Sequence, residues 1–338
     1  MPRMQILTPA EFNAFERPPA FSNVERQRFF ALSPRLEHLL SSFRTPTNQM
    51  CFVLALGYFR ATKRFFARQF READAEYVTQ QLGILPGVFD LRSYKETTAR
   101  SHRTLILDYL GFQPFNTQAR HHLADDIHTL IRSQVRPKAI FLHALDVLAR
   151  RKTEIPSAYL LTDLIVHEIR RHKGTLTEVI DAQISEELRA LLEALLEKTE
   201  GSGDTAPELQ RFKLTLLKKI SQSTKPARIR ATLEDWQTLR RLYDDITPMI
   251  ATLDLTHDGI RYYANAVLKS QVFQVSRRAD EDRHLHLVCF IAHQFYRLQD
   301  TLIDILLKTT QTALNACTRH HKEQYYAARK GQRRAARA

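Results

Sequence analysis

The chain has 338 residues, 43 % hydrophobic and 26 % charged, a balance that supports a buried core and excludes wholesale disorder. Its nine glycines are too few for hairpin-rich or glycine-loop folds, while strong helix formers dominate, so the expected class is all-α. A formal charge of +13, from 50 Lys and Arg against 37 Asp and Glu, implies a polyanionic partner, with nucleic acid ahead of an anionic membrane surface.

Met1 to Ala10 has no apolar run before a cleavage site, so no signal peptide is expected. The uncharged part of Thr45–Phe59 offers about half of the ~20 apolar residues that cross a bilayer, and no membrane association is expected. Cys51, Cys289 and Cys317 are far apart and sit in helical patterns, which predicts reduced, buried thiols in a cytoplasmic protein.

The first helices are short. Thr8-Pro9-Ala10-Glu11 reads as an N-cap, a proline at the first helical position and an acidic first turn. Ser33-Pro34 repeats that logic ahead of Leu36, Leu39, Leu40 and Phe43, and a third helix is expected from Thr47 to Phe59 or beyond. From Arg44 to Arg71 stand Arg44, Arg60, Lys63, Arg64, Arg68 and Arg71 without one acid, interleaved with Phe59, Phe65, Phe66 and Phe70. The aromatics read as core; the cations, all of one sign, read as phosphate contacts more readily than as an ordinary solvated face.

A helix-turn-helix candidate follows. Ala73–Ile84 forms its first helix, closed by Gly83, and residues 85–90 form a connection longer than the usual three or four residues. The second helix is expected over Tyr94–Leu110, with Arg92, Lys95, Arg100, His102 and Arg103 on it or just before it, placed to reach a DNA groove and its phosphates. A second basic pair comes next: a helix over Ala139–Lys152 ending in Arg150, Arg151 and Lys152, a break at Ile155-Pro156, and a helix over Ala158–Lys173 carrying Arg170 and Arg171 and stopping at Gly174. Cations at helix ends also complement the macrodipole, so both readings stay open there.

Between Asp181 and Glu208 the charge turns acidic, and Gly201 to Pro207 reads as a flexible linker. A long helix is expected from Asp280, carrying Leu285, Val288, Ile291, Phe295, Leu298, Leu302 and Ile305 as an internal core or a dimer seam. The last twenty residues, with seven Lys and Arg and one Glu, read as a disordered tail that binds polyanions without sequence preference, and 331–338 as its basic end.

No catalytic constellation is legible. Asp125-Asp126, Asp244-Asp245 and Asp280-Glu281-Asp282 sit in helical, polar contexts and read as salt-bridge partners. His122 and Asp126 could share a metal across one helical turn, but no metal-binding motif is complete, so neither metal nor cofactor is expected.

Leu32-Ser33-Pro34, Phe43-Arg44-Thr45-Pro46-Thr47-Asn48, Leu56-Gly57-Tyr58-Phe59-Arg60, Gln81-Leu82-Gly83-Ile84, Tyr94 to His102, and Leu110-Gly111-Phe112-Gln113-Pro114-Phe115 follow one another in this order. That succession resembles the N-terminal region of the large replicative transposases of class II transposons, the Tn-three family. Arg150-Arg151-Lys152 through Ser157, with Leu160 to Leu164, is similar to their second DNA-binding unit. The resemblance implies helical DNA-binding domains of helix-turn-helix type at 1–115 and 116–175, followed by a helical, dimer-forming region at 176–330. It implies recognition of terminal inverted repeats in duplex DNA, in a bacterial, nucleoid-associated protein. The family's ribonuclease-H-like domain with its carboxylate triad has no counterpart here, so the expectation is the non-enzymatic part of a truncated or split transposase. The alternative is a helical regulator that pairs with itself or with a full-length transposase.

Overall fold

The computed structural model of the protein describes residues 5–85, 90–133, 135–197 and 213–335. Among these residues it has fifteen α-helices, one short 3-10 turn and no strand, apart from an isolated bridge between Gln113 and Thr153, so the protein is all-α. The linker expected at 201–207 and the connecting residues Pro86 to Phe89 lie outside the described residues. The chain divides into two compact units, Met1–His172 and Lys173–Ala338. The first unit takes in the expected residues 1–115 and all but the last three of 116–175.

The first unit begins with helices set by local capping. Thr8 and Glu11 form a capping box at α1 (Pro9–Glu16), Ser22 and Glu25 another at α2 (Asn23–Phe29), and the hydroxyls of Ser33 and Thr45 cap α3 (Pro34–Ser41) and α4 (Pro46–Thr62). Helix α4 buries Met50 to Leu54 and Leu56 to Phe59 on all sides, which is why its sequence has no polar face. It is the hub on which α2, α5 (Glu72–Gln81) and α6 (Glu96–Leu110) pack. Gly57 lets α4 approach Phe30, since a Cβ at that position would run into the Phe30 ring. Buried Asp74 locks the hub, accepting from the Tyr58 hydroxyl at 2.9 Å and from Arg26 Nε at 2.7 Å. Helices α7 (Thr117–Ser133) and α8 (Pro137–Arg150) pack as a pair around Leu123, Ile127, Ile140 and Phe141.

Of the helix-turn-helix expectation, the two helices are present. Helices α5 and α6 both exist close to the expected bounds, and Gly83 ends the first with φ +64°. They are joined by residues 82–95, which include the 3-10 turn Leu91–Ser93, and each packs on α4 instead of forming a tight pair. Helix α9 (Ala158–Gln183) also runs past its expected stop at Gly174. Burial of Leu176 and Ile180, within the next two turns, offsets the roughly 1 kcal/mol that an interior glycine costs a helix.

The second unit contains the later turns of α9, then α10 (Glu186–Ala194), α11 (Lys213–Leu217), α12 (Pro226–Leu253), α13 (His257–Leu268), α14 (Val272–Ser276) and α15 (Asp280–Ala335). Helices α12 and α13 pack along α15, making the expected bundle of longer helices. Leu285, Val288, Ile291, Leu298 and Ile305 of α15 are buried, and Phe295 stacks on Tyr243 at 4.3 Å between ring centroids. The apolar stripe is therefore internal core and is not left over as a dimer seam. The basic tail, expected to be disordered, is helical through Ala335, and residues 336–338 lie outside the described residues. Cys51 and Cys289 are buried as expected, whereas Cys317 is exposed. No helix of the described residues is long and apolar enough to cross a membrane.

Candidate nucleic-acid interface

The cations singled out in the first unit fall into three groups once the chain is folded. Arg64 and His102 are buried, which removes them from any surface that DNA could touch. The Arg64 guanidinium lies 3.6 Å from the Phe15 ring centroid, donates to the Phe15 carbonyl and pairs with Glu16 at 3.2 Å. Desolvation there lowers its pKa to about 10 despite the neighbouring carboxylate. His102 packs among Phe43, Phe52 and Tyr94, with Nδ1 2.9 Å from the Tyr94 hydroxyl, and burial pushes its pKa down to about 4. Both are corrections to the phosphate-contact reading: each side chain cements the core.

A second group is partly engaged. Arg60 donates to the carbonyls of Phe29 (3.0 Å) and Ala31 (2.9 Å), tying α4 to the residues after α2. Arg71 donates through Nε to the Pro18 carbonyl at 2.9 Å but stays exposed. Lys63, in the left-handed conformation at the end of α4, turns Nζ onto the Arg60 carbonyl at 2.6 Å, and desolvation lowers its pKa. Arg150 pairs with Asp146 and Arg151 with Asp126 at 2.8 and 2.7 Å, and Arg171 with Glu168 at 3.3 Å. Asp126 is thereby a salt-bridge partner, and among the described residues no cluster of His, Cys, Asp or Glu is placed to hold a metal ion.

The third group is exposed. Arg44, Arg92, Lys95, Lys152 and Arg170 make no side-chain hydrogen bond or ion pair among the described residues. Arg68 and Arg100 are exposed as well. These two meet Arg103 around a groove of about 350 Å³ between α6 and the 63–70 segment, lined further by Phe65, Tyr94, Glu96 and the small side chains of Ala55, Ala67 and Ala99.

The groove is built by backbone devices that the sequence does not advertise. Lys63 and Ala67 both adopt positive φ, 59° and 50°, which turns the chain sharply between α4 and α5 and sets Arg68 on its rim. The turn is fixed by a hydrogen bond from the Ile155 amide to the Lys63 carbonyl at 2.8 Å. Arg100 is held by Glu96 at 2.6 Å, yet both are well exposed, so that pair contributes little and opens easily to a competing phosphate. Lys95 gives α6 no side-chain cap, leaving its first-turn N–H groups to solvent or to an anion. Guanidinium groups suit such a place because their planar fork takes two phosphate oxygens at once.

Arg103 belongs to the frame of the groove. Its Nε donates to Glu154 Oε2 at 2.8 Å and its terminal nitrogen to Oε1, and this raises its pKa. Glu154 is the residue that sequence reading passed over. Its one signal was to be the lone acid in the basic run from Arg150 to Pro156.

Residues 6–167 match the family model of a domain of unknown function, DUF4158. The match takes in nearly all of the first compact unit, groove included, and none of the second. No curated protein matches the chain.

Proposed function

We propose that the protein binds double-stranded DNA through its first unit and recognises the terminal inverted repeats of a transposon, as the DNA-reading part of a Tn-three family transposase. The observation that carries this reading is the groove at α6, where Arg68, Arg100 and Arg103 converge beside an uncapped helix start flanked by exposed Arg92 and Lys95. The net charge of +13 and the succession of residues shared with the family's N-terminal region support it further. In this reading Arg68, Arg92 and Lys95 take phosphates, while Arg100 exchanges Glu96 for a base edge or an adjoining phosphate. Neither a cofactor nor a catalytic residue enters the proposal.

The test is binding of the full chain to inverted-repeat and scrambled duplexes at physiological salt. Preference for the repeat supports the reading, and equal affinity for the two ends it. Arg100→Ala should narrow the preference, whereas Arg68→Ala should lower affinity for every sequence alike.

A second reading, a regulator that associates with copies of itself or with a full-length transposase, is favoured by one feature. Ile303, Leu306, Leu307 and Leu314 of α15 are half or more exposed. Light scattering that reports a monomer at every concentration would exclude self-association.

A further inference from the structure

Several helix cations of the second unit are paired with acids. Arg283 pairs with Glu193 and Asp280, Arg278 and Lys173 with Asp282, Arg261 with Asp258, and Arg240 with Asp244. On α15, residues 310–330 are exposed at every position. Within that run Arg319, Lys322, Arg329 and Lys330 make no ion pair or side-chain hydrogen bond among the described residues, and Glu323 is the one acid.

We propose that Arg319, Lys322, Arg329 and Lys330 form a contact surface for the sugar-phosphate backbone of duplex DNA, additional to the groove of the first unit. At 3.6 residues per turn, these four side chains and Tyr326 fall within an arc of about 100° on one side of α15. They extend over roughly 17 Å of helix axis at 1.5 Å per residue, along which a duplex carries one phosphate charge per ~1.7 Å. Tyr326 is 63 % exposed in the middle of this face and brings a hydroxyl that can donate to a phosphate oxygen. Complementing the helix dipole does not account for the arrangement. That effect is confined to the last turn, whereas Arg319 and Lys322 precede the end of α15 at Ala335 by more than three turns.

Charge and shape select the occupant. A helix lying on an anionic membrane needs a broad apolar face level with its cations. Over residues 317–328 the side opposite the cations carries Cys317, His321, Gln324 and Ala328, and the exposed Ile303, Leu306, Leu307 and Leu314 all precede the cationic stretch. A second copy would bring the same four positive charges against this face and be repelled. The width of an α-helix matches the ~12 Å major groove, and the backbones on either side supply the negative charge.

The test uses the full chain carrying Arg319→Ala, Lys322→Ala, Arg329→Ala and Lys330→Ala together; all four sites are exposed and alanine favours the helix. Affinity for a random-sequence duplex is measured by fluorescence anisotropy across a salt series. The expected result is a log-affinity against log-salt slope shallower by roughly 2 to 4, with at least a tenfold loss of affinity in moderate salt. The loss should be the same for inverted-repeat and random duplexes, so failure of specific recognition by the first unit would leave this result untouched. An unchanged slope and affinity, with helical circular dichroism preserved, overturns the proposal. So does an equal loss of affinity in the opposite-face variant His321→Ala/Gln324→Ala. Loss of binding to phosphatidylserine vesicles or polyglutamate, with duplex binding intact, overturns it in favour of another polyanion.

Discussion

Glu154, buried between α8 and α9, receives Arg103 Nε of α6 at 2.8 Å and the Phe115 amide at 2.9 Å. One carboxylate thereby fastens three stretches of chain that are distant in sequence, and it sits under the groove. Glu154→Ala should destabilise the first unit by about 2 kcal/mol, below the usual cost of breaking a buried pair because Arg103 remains partly in water. Glu154→Gln, which keeps an acceptor for Phe115, should cost less. Urea denaturation of the full chain, read on first-unit signals, checks the order.

Arg64 and Arg68 stand four residues apart with opposite fates. Arg64→Ala removes a buried side chain packed on Phe15 and should lower stability by about 2 to 3 kcal/mol, leaving the salt dependence of DNA binding unchanged. Arg68→Ala should leave the unfolding midpoint in place and make the salt slope shallower by about 0.9. Finding the two effects interchanged would refute the assignment of these residues.

His102 gives the first unit an acid sensitivity. Its folded pKa is held near 4, below the ordinary 6.5, so the unfolded chain binds the proton more tightly. Its contribution to stability is complete above about pH 6.5 and is lost as pH falls from there toward 4. His286 and His293 of the second unit, also held near 4, act over the same window and in the same direction. His102→Gln should flatten the fall in first-unit stability between pH 6.5 and 4.5, measured as the shift of the urea midpoint.

Gly57→Ala tests the hub. A methyl group there meets the buried Phe30 ring, and overpacking of this kind costs about 1 to 3 kcal/mol, outweighing the helix propensity gained. The melting temperature should fall. Gly174→Ala, with no atom near the added methyl, should raise it instead.

The local devices were readable from the chain alone. Thr8-Pro9 and Ser33-Pro34 start helices because capping is settled within four residues, and Gly83 stops one because its φ of +64° suits few other residues. The same reasoning set the start of α6 within two residues and that of α15 at Asp280. It misjudged Gly174, where burial of Leu176 and Ile180 outweighs the local signal, and it anticipated a long α5–α6 connection but not that both helices pack on α4.

Of the candidate interface, the sequence by itself determined the all-α class, the helical supports and the supply of cations without acids from Arg44 to Arg71. Which of those cations face water was decided only by tertiary structure. Composition and spacing fix how much charge a segment carries, but a guanidinium goes inward or outward according to the carbonyls, carboxylates and rings that distant segments bring to it. Phe15 and Glu16 drew Arg64 into the core, Glu154 made Arg103 a strut, and Tyr94 closed over His102, while Arg68, with an exposed side chain on a turn set by Ala67, was left at the groove.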